Sequence, residues 1–206
     1  MTVLRPTLIG YAPSVYTRAV RMAAAHHRVA YDWEAWNPFD TPDGPHPFGR
    51  VPVWKDGDFT LYETAAILTY LDAFAGHQIH ESRVAARVQQ VASIADSYAY
   101  WPLVRQVYAH AVFRPSEGEV GDASQIAQGM AAAPRVLAAL DAIAAEGAVL
   151  NGTAWTRADW HLAPMIAGFV AYAPAQDFLQ DYAALARWFG ALSETQAFVQ
   201  TTEAMA

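Results

Sequence analysis

The stretch Gly49-Arg-Val-Pro-Val-Trp-Lys-Asp-Gly-Asp-Phe-Thr-Leu-Tyr-Glu-Thr-Ala-Ala-Ile-Leu-Thr-Tyr-Leu-Asp72 decides how the rest of the chain is read. It predicts a strand over Val51 to Trp54, a tight turn at Asp56-Gly57 and a second short strand over Phe59 to Tyr62. Asp-Gly between two β-prone apolar runs is the strongest short-range signal for a hairpin. After Tyr62 the period changes: Ala66, Ile67, Tyr70, Leu71 and Phe74 recur at helical spacing. A helix therefore opens near Glu63 or Thr64 and lays one face on the hairpin.

The two ends of this stretch carry its chemistry. A proline at the start of a strand removes a ladder donor and belongs at an edge or in a special turn, which makes Val51-Pro52 a candidate cis bond. In the cis form the amide and carbonyl of Val51 turn outward and can pair with an extended peptide. Glu63 and Thr64 stand at the first turn of a helix, where unpaired N–H groups and the positive dipole end can bind a carboxylate. The alternative for that pair is a plain helix cap.

Upstream, Thr7 to Tyr11 reads as a short strand broken by Ala12-Pro13. Ser14 to His27 reads as a helix with an apolar stripe of Val15, Ala19, Met22 and Ala23 and with Ser14 as N-cap. Val29 to Trp36 is expected to be a second strand, and Asn37 to Pro47, with four prolines and a glycine, an irregular loop. Strand, helix, strand, loop, hairpin and helix together make a mixed-sheet, thioredoxin-like α/β domain, roughly residues 1 to 75.

Downstream, residues 76–82 break the pattern as a linker, and from residue 83 to 206 every periodic segment is helical. Val84, Val88, Val91, Ala95, Tyr98 and Pro102 follow one face of a long helix, which Pro102 kinks rather than ends because periodicity resumes at Val104. Pro115 to Gly121 is a loop, Ala123 to Glu146 a second long helix with Pro134 inside it, and Asn151-Gly152 a turn. Asp159 to Tyr172 is apolar almost all round, as a central helix is. Thr156 and Asp159 ahead of it have the spacing of a capping box, which assigns them to folding.

Composition narrows the function. The 206 residues, 54% of them apolar, suffice for a buried core. A formal net charge of −7, with Lys and Arg scattered, argues against a nucleic-acid partner. The start lacks the pattern of a signal peptide and no apolar run is read as long enough to span a bilayer, so a cytoplasmic location with no membrane partner is the expectation. With no cysteine in the sequence, thiolate metal sites, disulfides and a cysteine nucleophile are excluded, and any thiol must come with the ligand. His77 and His80 beside Glu81 fall in the linker without a further convergent ligand, and His26-His27 occupies a helix end where cations are welcome, so no metal site is expected. There is no Gly-rich phosphate loop and no Gly-X-Ser-X-Gly elbow.

Taken together, the Val-Pro strand start, the Asp-Gly hairpin and the Glu63-Thr64 pair resemble the glutathione transferase superfamily. Thr156 and Asp159 match its core-helix cap, and Tyr182 to Ser193 is similar to its closing helices, so the resemblance spans nearly the whole chain. It implies a glutathione-binding α/β domain followed by an all-helical domain, commonly in a homodimer, and conjugation of the glutathione thiolate to a small electrophile. Related proteins carry a longer segment after Trp36, with a polar residue for the glycine carboxylate; His46 and Asn37 are read first as ordinary loop residues, with substitution for that residue as their alternative. The cysteine-dependent branch of the superfamily is closed to this chain.

The resemblance places candidate residues. Serine-type relatives carry the activating hydroxyl a few residues before an Arg-X-Val-Arg run, here Arg18-Ala-Val-Arg21, which puts Ser14 on that position. As a hydroxyl donor at a helix N-terminus it suits a thiolate, and its plain alternative is the N-cap. Tyr11, at the end of the first strand, is the competitor, as in tyrosine-type relatives; Tyr16 is a third hydroxyl, read as a pocket wall, and Thr17 a weaker one. Arg50, Val51, Pro52, Glu63 and Thr64 are implied to bind glutathione. Tyr98, Trp101, Arg105 and Tyr108, spaced three, four and three apart on the long helix, share one face and offer an aromatic wall around an arginine for an apolar electrophile, or ordinary interhelix packing. A non-catalytic glutathione-transferase-like binding protein and a glutathione-dependent isomerase or peroxidase are the alternatives.

Overall fold

The computed structural model describes residues 5–41 and 43–202, so that Pro42 of the proline-rich loop lies outside it. The chain forms two compact units: residues up to Gln78 together with those from Glu194 on, and Ile79–Ser193 between them. Sequence periodicity alone keeps the whole run 83–206 in one helical domain. The structure instead returns the segment from Glu194 to the first unit, where a short helix packs on the first helix of the chain.

In the first unit the elements run β1 (Thr7–Gly10), α1 (Val15–His27), β2 (Asp32–Ala35), β3 (Val53–Asp56), β4 (Phe59–Tyr62) and α2 (Thr64–Phe74). The sheet order is β2-β1-β3-β4, with β1 parallel to β2 and antiparallel to β3, and β3 antiparallel to β4. Leu8, Ile9, Val53 and Trp54 from the central strands and Val20, Met22, Ile67, Leu68 and Leu71 from the helices are completely buried and make the core. The expected Val29–Trp36 strand contracts to Asp32–Ala35, all four residues of it exposed, at the sheet edge. Its acidic residues suit an edge that must not recruit another strand.

Val51-Pro52 is cis. The first ladder pair of the hairpin is Val53 with Tyr62, two residues later than the strand start read from sequence, because proline has no N–H to give. The ladder runs on to Asp56 opposite Phe59, so the two-residue loop is Gly57-Asp58, one residue beyond the expected turn, with Gly57 at φ 62°. Asp56 also accepts a hydrogen bond from the Tyr70 hydroxyl of α2, which lifts the phenol pKa to about 12 and ties the helix to the hairpin.

At the other end of α1, His27 Nε2 lies 2.9 Å from Asp72 Oδ1 of α2, with the His26 and His77 rings 5.0 and 4.9 Å from that of His27. Burial first, then His27 and His77, hold the His26 pKa below its ordinary 6.5, against a smaller opposing pull from Asp72. Its unfolded form therefore takes up protons more readily than its folded form. This contribution to stability is present above pH 6.5 and is lost as the pH falls below it. In thermal melts from about pH 7.5 to about pH 5.5, His26→Gln is expected to flatten the acid-side fall in Tm.

The second unit holds α3 (Ser82–Ile94), which continues without a break through a π-helical segment, Ala95–Phe113, into α4 (Arg114–Ser116). The chain passes Pro102 without ending, as expected. The wide turn is visible where the Arg114 amide donates to the carbonyl of Ala109, five residues back. Then come α5 (Ala123–Ala145), α6 (Arg157–Val170), α7 (Ala173–Leu179) and α8 (Ala183–Ser193). Gly129 brings α5 close to the π segment: a Cβ there would stand 2.6 Å from the Pro102 carbonyl oxygen. By length and composition alone α5 is apolar enough to cross a membrane, contrary to the reading that no run is. Here its Leu137, Leu140 and Ile143 are buried, and its Asp141 accepts from the Ala184 and Leu185 amides at the start of α8.

The capping box at α6 is formed. Asp159 Oδ2 accepts from the Thr156 amide and hydroxyl at 2.7 and 2.8 Å, and Oδ1 accepts from Trp188 Nε1 at 2.7 Å. Trp160, Leu162, Ala163, Met165, Ile166 and Phe169 of this helix are buried all round, as the apolar pattern predicts.

Candidate functional site

One end of the first unit's sheet gathers most of the candidate residues. Ile9 pairs with Val53, and Val53 with Tyr62. β1 and β4 therefore end, and β3 begins, at the same end of the sheet, with Tyr11, Val51-Pro52 and Glu63-Thr64 just past the ladder. At the same end α1 begins after β1 and α2 begins after β4. Two helix N-termini, with their unpaired amides and positive dipole ends, therefore open beside the unladdered Val51-Pro52.

Ser14 caps α1: its Oγ accepts from the Thr17 amide at 3.3 Å, while its own amide donates to the Tyr11 carbonyl at 3.0 Å and closes the strand-to-helix turn. The bland reading of Ser14 as N-cap is thus realised. It does not use up the group, because the cap occupies a lone pair and leaves the hydroxyl proton to donate. Ser14 is half-buried, as are Tyr11 and Tyr16. The Tyr11 ring meets Phe39 of the proline-rich loop edge-on at 6.1 Å. Thr17 is wholly buried, its methyl and hydroxyl both against Gly10, where a Cβ would stand 2.5 and 3.0 Å from them, and its burial withdraws it as a candidate.

Glu63 departs from an ordinary cap. Its backbone sits at φ 70°, ψ 116°, a conformation that a side chain disfavours, and its carboxylate caps nothing. Strained residues of this kind collect at functional sites. The Glu63 carboxylate is exposed, and beside it Thr64, the first residue of α2, is buried. Arg50 is exposed and Val51 half-buried.

His46 is the residue that sequence reasoning undervalues. Although in a loop, its ring is buried, lies 5.0 Å from that of Tyr62 and 5.8 Å from that of Phe48, and accepts from the Phe48 amide at Nδ1. That bond fixes the ring proton of the neutral form on Nε2, which stands 3.9 Å from the Glu63 carboxylate. Burial holds the His46 pKa below its ordinary 6.5, while Glu63 pulls it up and Arg50 pushes it down. Asn37, the other substitute, is engaged in its own loop with Asp40 and the Phe39 amide.

In the second unit, Tyr98, Trp101 and Arg105 are exposed on the π segment. Tyr108 is not with them: it is buried, its ring 3.0 Å from where a Cβ on Gly168 would stand. Spacings of three and four share a face at 3.6 residues per turn, whereas the wider π turn groups Ala95, Ala99, Val104 and Tyr108, all buried. Tyr108 is therefore a core residue and leaves the candidate pocket. Among the described residues no group of three or more His, Asp or Glu is arranged to hold a metal ion.

A family model described as the N-terminal domain of glutathione S-transferase matches residues 13–73. Glutathione S-transferase F7 of Arabidopsis thaliana is 28% identical over 176 residues, covering 77% of this chain and 81% of that protein. Glutathione S-transferase 3 of Zea mays is 25% identical over 207 residues, covering 95% and 93%. Among solved structures, glutathione S-transferase-I bound with the ligand lactoylglutathione superposes with a TM-score of 0.85 at 21% identity, covering 98% of this chain and 100% of that one.

Proposed function

This chain belongs to the glutathione transferase superfamily, and we propose that it transfers the thiolate of glutathione to a small apolar electrophile, with Ser14 stabilising the sulfur. The observation that supports the proposal is that β1 and β4 both lead, at one end of the sheet, into a helix N-terminus, the first of them capped by the Ser14 hydroxyl, where β3 begins after the cis Val51-Pro52 bond. Glutathione is an extended anionic tripeptide. Its backbone pairs with Val51, held out by Pro52, and its sulfur meets the Ser14 hydroxyl and the positive end of α1.

The γ-glutamyl end carries an ammonium and a carboxylate. The exposed Glu63 carboxylate suits the first, the Thr64 end of α2 suits the second, and Arg50 adds positive charge at the rim. Tyr11 and Tyr16 line the sulfur side. The enzyme works as a homodimer in the cytoplasm, in the clearance of reactive compounds.

Incubation with glutathione and chlorodinitrobenzene tests the reading: conjugate formation above the uncatalysed rate is expected. Retention on immobilised glutathione without turnover of any apolar electrophile points instead to a binding protein. Loss of the Glu63 charge removes one charge-assisted contact, so Glu63→Gln is expected to raise the glutathione KM about tenfold with kcat little changed.

A further inference from the structure

Arg18 is almost completely buried in α1, one turn beyond Ser14, although buried arginines are rare without dedicated partners. Its partners come from the far end of the chain. Nη2 donates to the Thr202 hydroxyl at 3.0 Å and to the Phe198 carbonyl at 3.4 Å, and Nε donates to the Thr201 hydroxyl at 3.4 Å. The guanidinium carbon also lies 4.4 Å from the centre of the Phe198 ring.

The tail is folded so as to present these groups. Thr195 caps α9 (Gln196–Val199) by accepting from the Phe198 amide, and the Thr201 and Thr202 hydroxyls both donate to the Phe198 carbonyl at 3.0 Å. A planar fork needs its acceptors in a fixed arrangement, which this turn supplies.

On the Ser14 side, the Arg18 amide donates to the Ser14 carbonyl at 2.9 Å, closing the first turn of α1. The turn that carries the hydroxyl thus ends on the residue that the tail grips. We infer that Arg18 is a positioning residue, through which the segment Thr195–Thr202 holds the first turn of α1, and with it the Ser14 hydroxyl, in register with the glutathione sulfur. The inference rests on Ser14 being the activating group. It goes beyond that reading by assigning the tail to the activation step.

The test is the pKa of the glutathione thiol bound to the whole protein, followed by thiolate absorbance in the ultraviolet, in Thr201→Val/Thr202→Val, Arg18→Lys and Ser14→Ala. The double valine variant keeps size and charge but removes two acceptors of the clamp, and a rise in thiol pKa of about one unit, tenfold in thiolate population, is expected. Arg18→Lys keeps the charge but not the fork and is expected to raise it similarly. A purely electrostatic or purely stabilising role for Arg18 predicts a wild-type thiol pKa in both. Ile143→Ala, a core truncation in the other unit, lowers Tm and leaves the thiol pKa alone. If the double valine variant binds glutathione with a wild-type thiol pKa while Ser14→Ala raises it, the positioning role is overturned and the Ser14 reading survives. If Ser14→Ala does not raise it, the underlying reading itself has failed.

Discussion

Asp159→Ala is expected to destabilise the protein by about 3–5 kcal/mol in urea or guanidinium titration, a far larger loss than removal of the Ser14 cap brings. The carboxylate is completely buried, and burial pushes its pKa up to about 6, opposed by the Thr156 and Trp188 donors, so it is ionised at neutral pH. A buried anion is tolerable only while all its donors are in place. Alanine removes the anion but strands the Trp188 indole N–H in the core and the half-buried Thr156 amide at the cap, the first at a cost of about 1–3 kcal/mol and the second at less, and leaves a cavity. Asp159→Asn keeps the volume but turns an amide NH2 toward donors on one side, so its loss is expected to fall between alanine and wild type. A loss below about 1 kcal/mol for alanine contradicts the assignment of Asp159 as the link between the α6 cap and α8.

Ser14→Ala is the substitution with the largest expected effect on activity. Removal of one hydrogen-bond donor from a developing or stabilised anion in such a site costs about 100-fold to 1,000-fold in rate, and kcat/KM is expected to fall by about that factor. The same change removes the α1 cap, which costs about 1 kcal/mol of stability, so the melting curve shifts only modestly. The two losses have separate readouts. Ser14→Thr, which keeps both the hydroxyl and the cap, is expected to recover stability fully and activity in part. Tyr11→Phe is expected to keep the rate, because that ring packs on Phe39 and the activating donor is the serine.

Local signals are the legible ones. Asp56-Gly57 announces the hairpin and Thr156-X-X-Asp159 announces the α6 cap, because each motif satisfies its own backbone within a few residues. What stays unread depends on partners far away in sequence or on a changed period. Counting 3.6 residues per turn puts Tyr108 on an open face, and the π segment turns it inward onto Gly168. The loop sequence around His46 gives no period at all, so its burial against Tyr62 and its approach to Glu63 emerge only once β4 and the loop are placed together. The return of the tail to α1 is a long-range pairing: Arg18, part of the run that points to Ser14, gives no hint that its side chain reaches Phe198 and Thr202. The Glu63 carboxylate is plain in the sequence, but the strained backbone that sets it apart from a plain cap is not a property that composition reveals.

In the proposed reaction this sheet end lowers the proton affinity of a thiol that it does not itself supply. Titration of the thiolate absorbance of glutathione bound to the wild-type protein tests that directly. An ionisation at least one unit below that of free glutathione under the same conditions is expected, with the difference abolished by Ser14→Ala. A bound thiol that titrates as it does in water, in a protein that nevertheless retains glutathione, contradicts it.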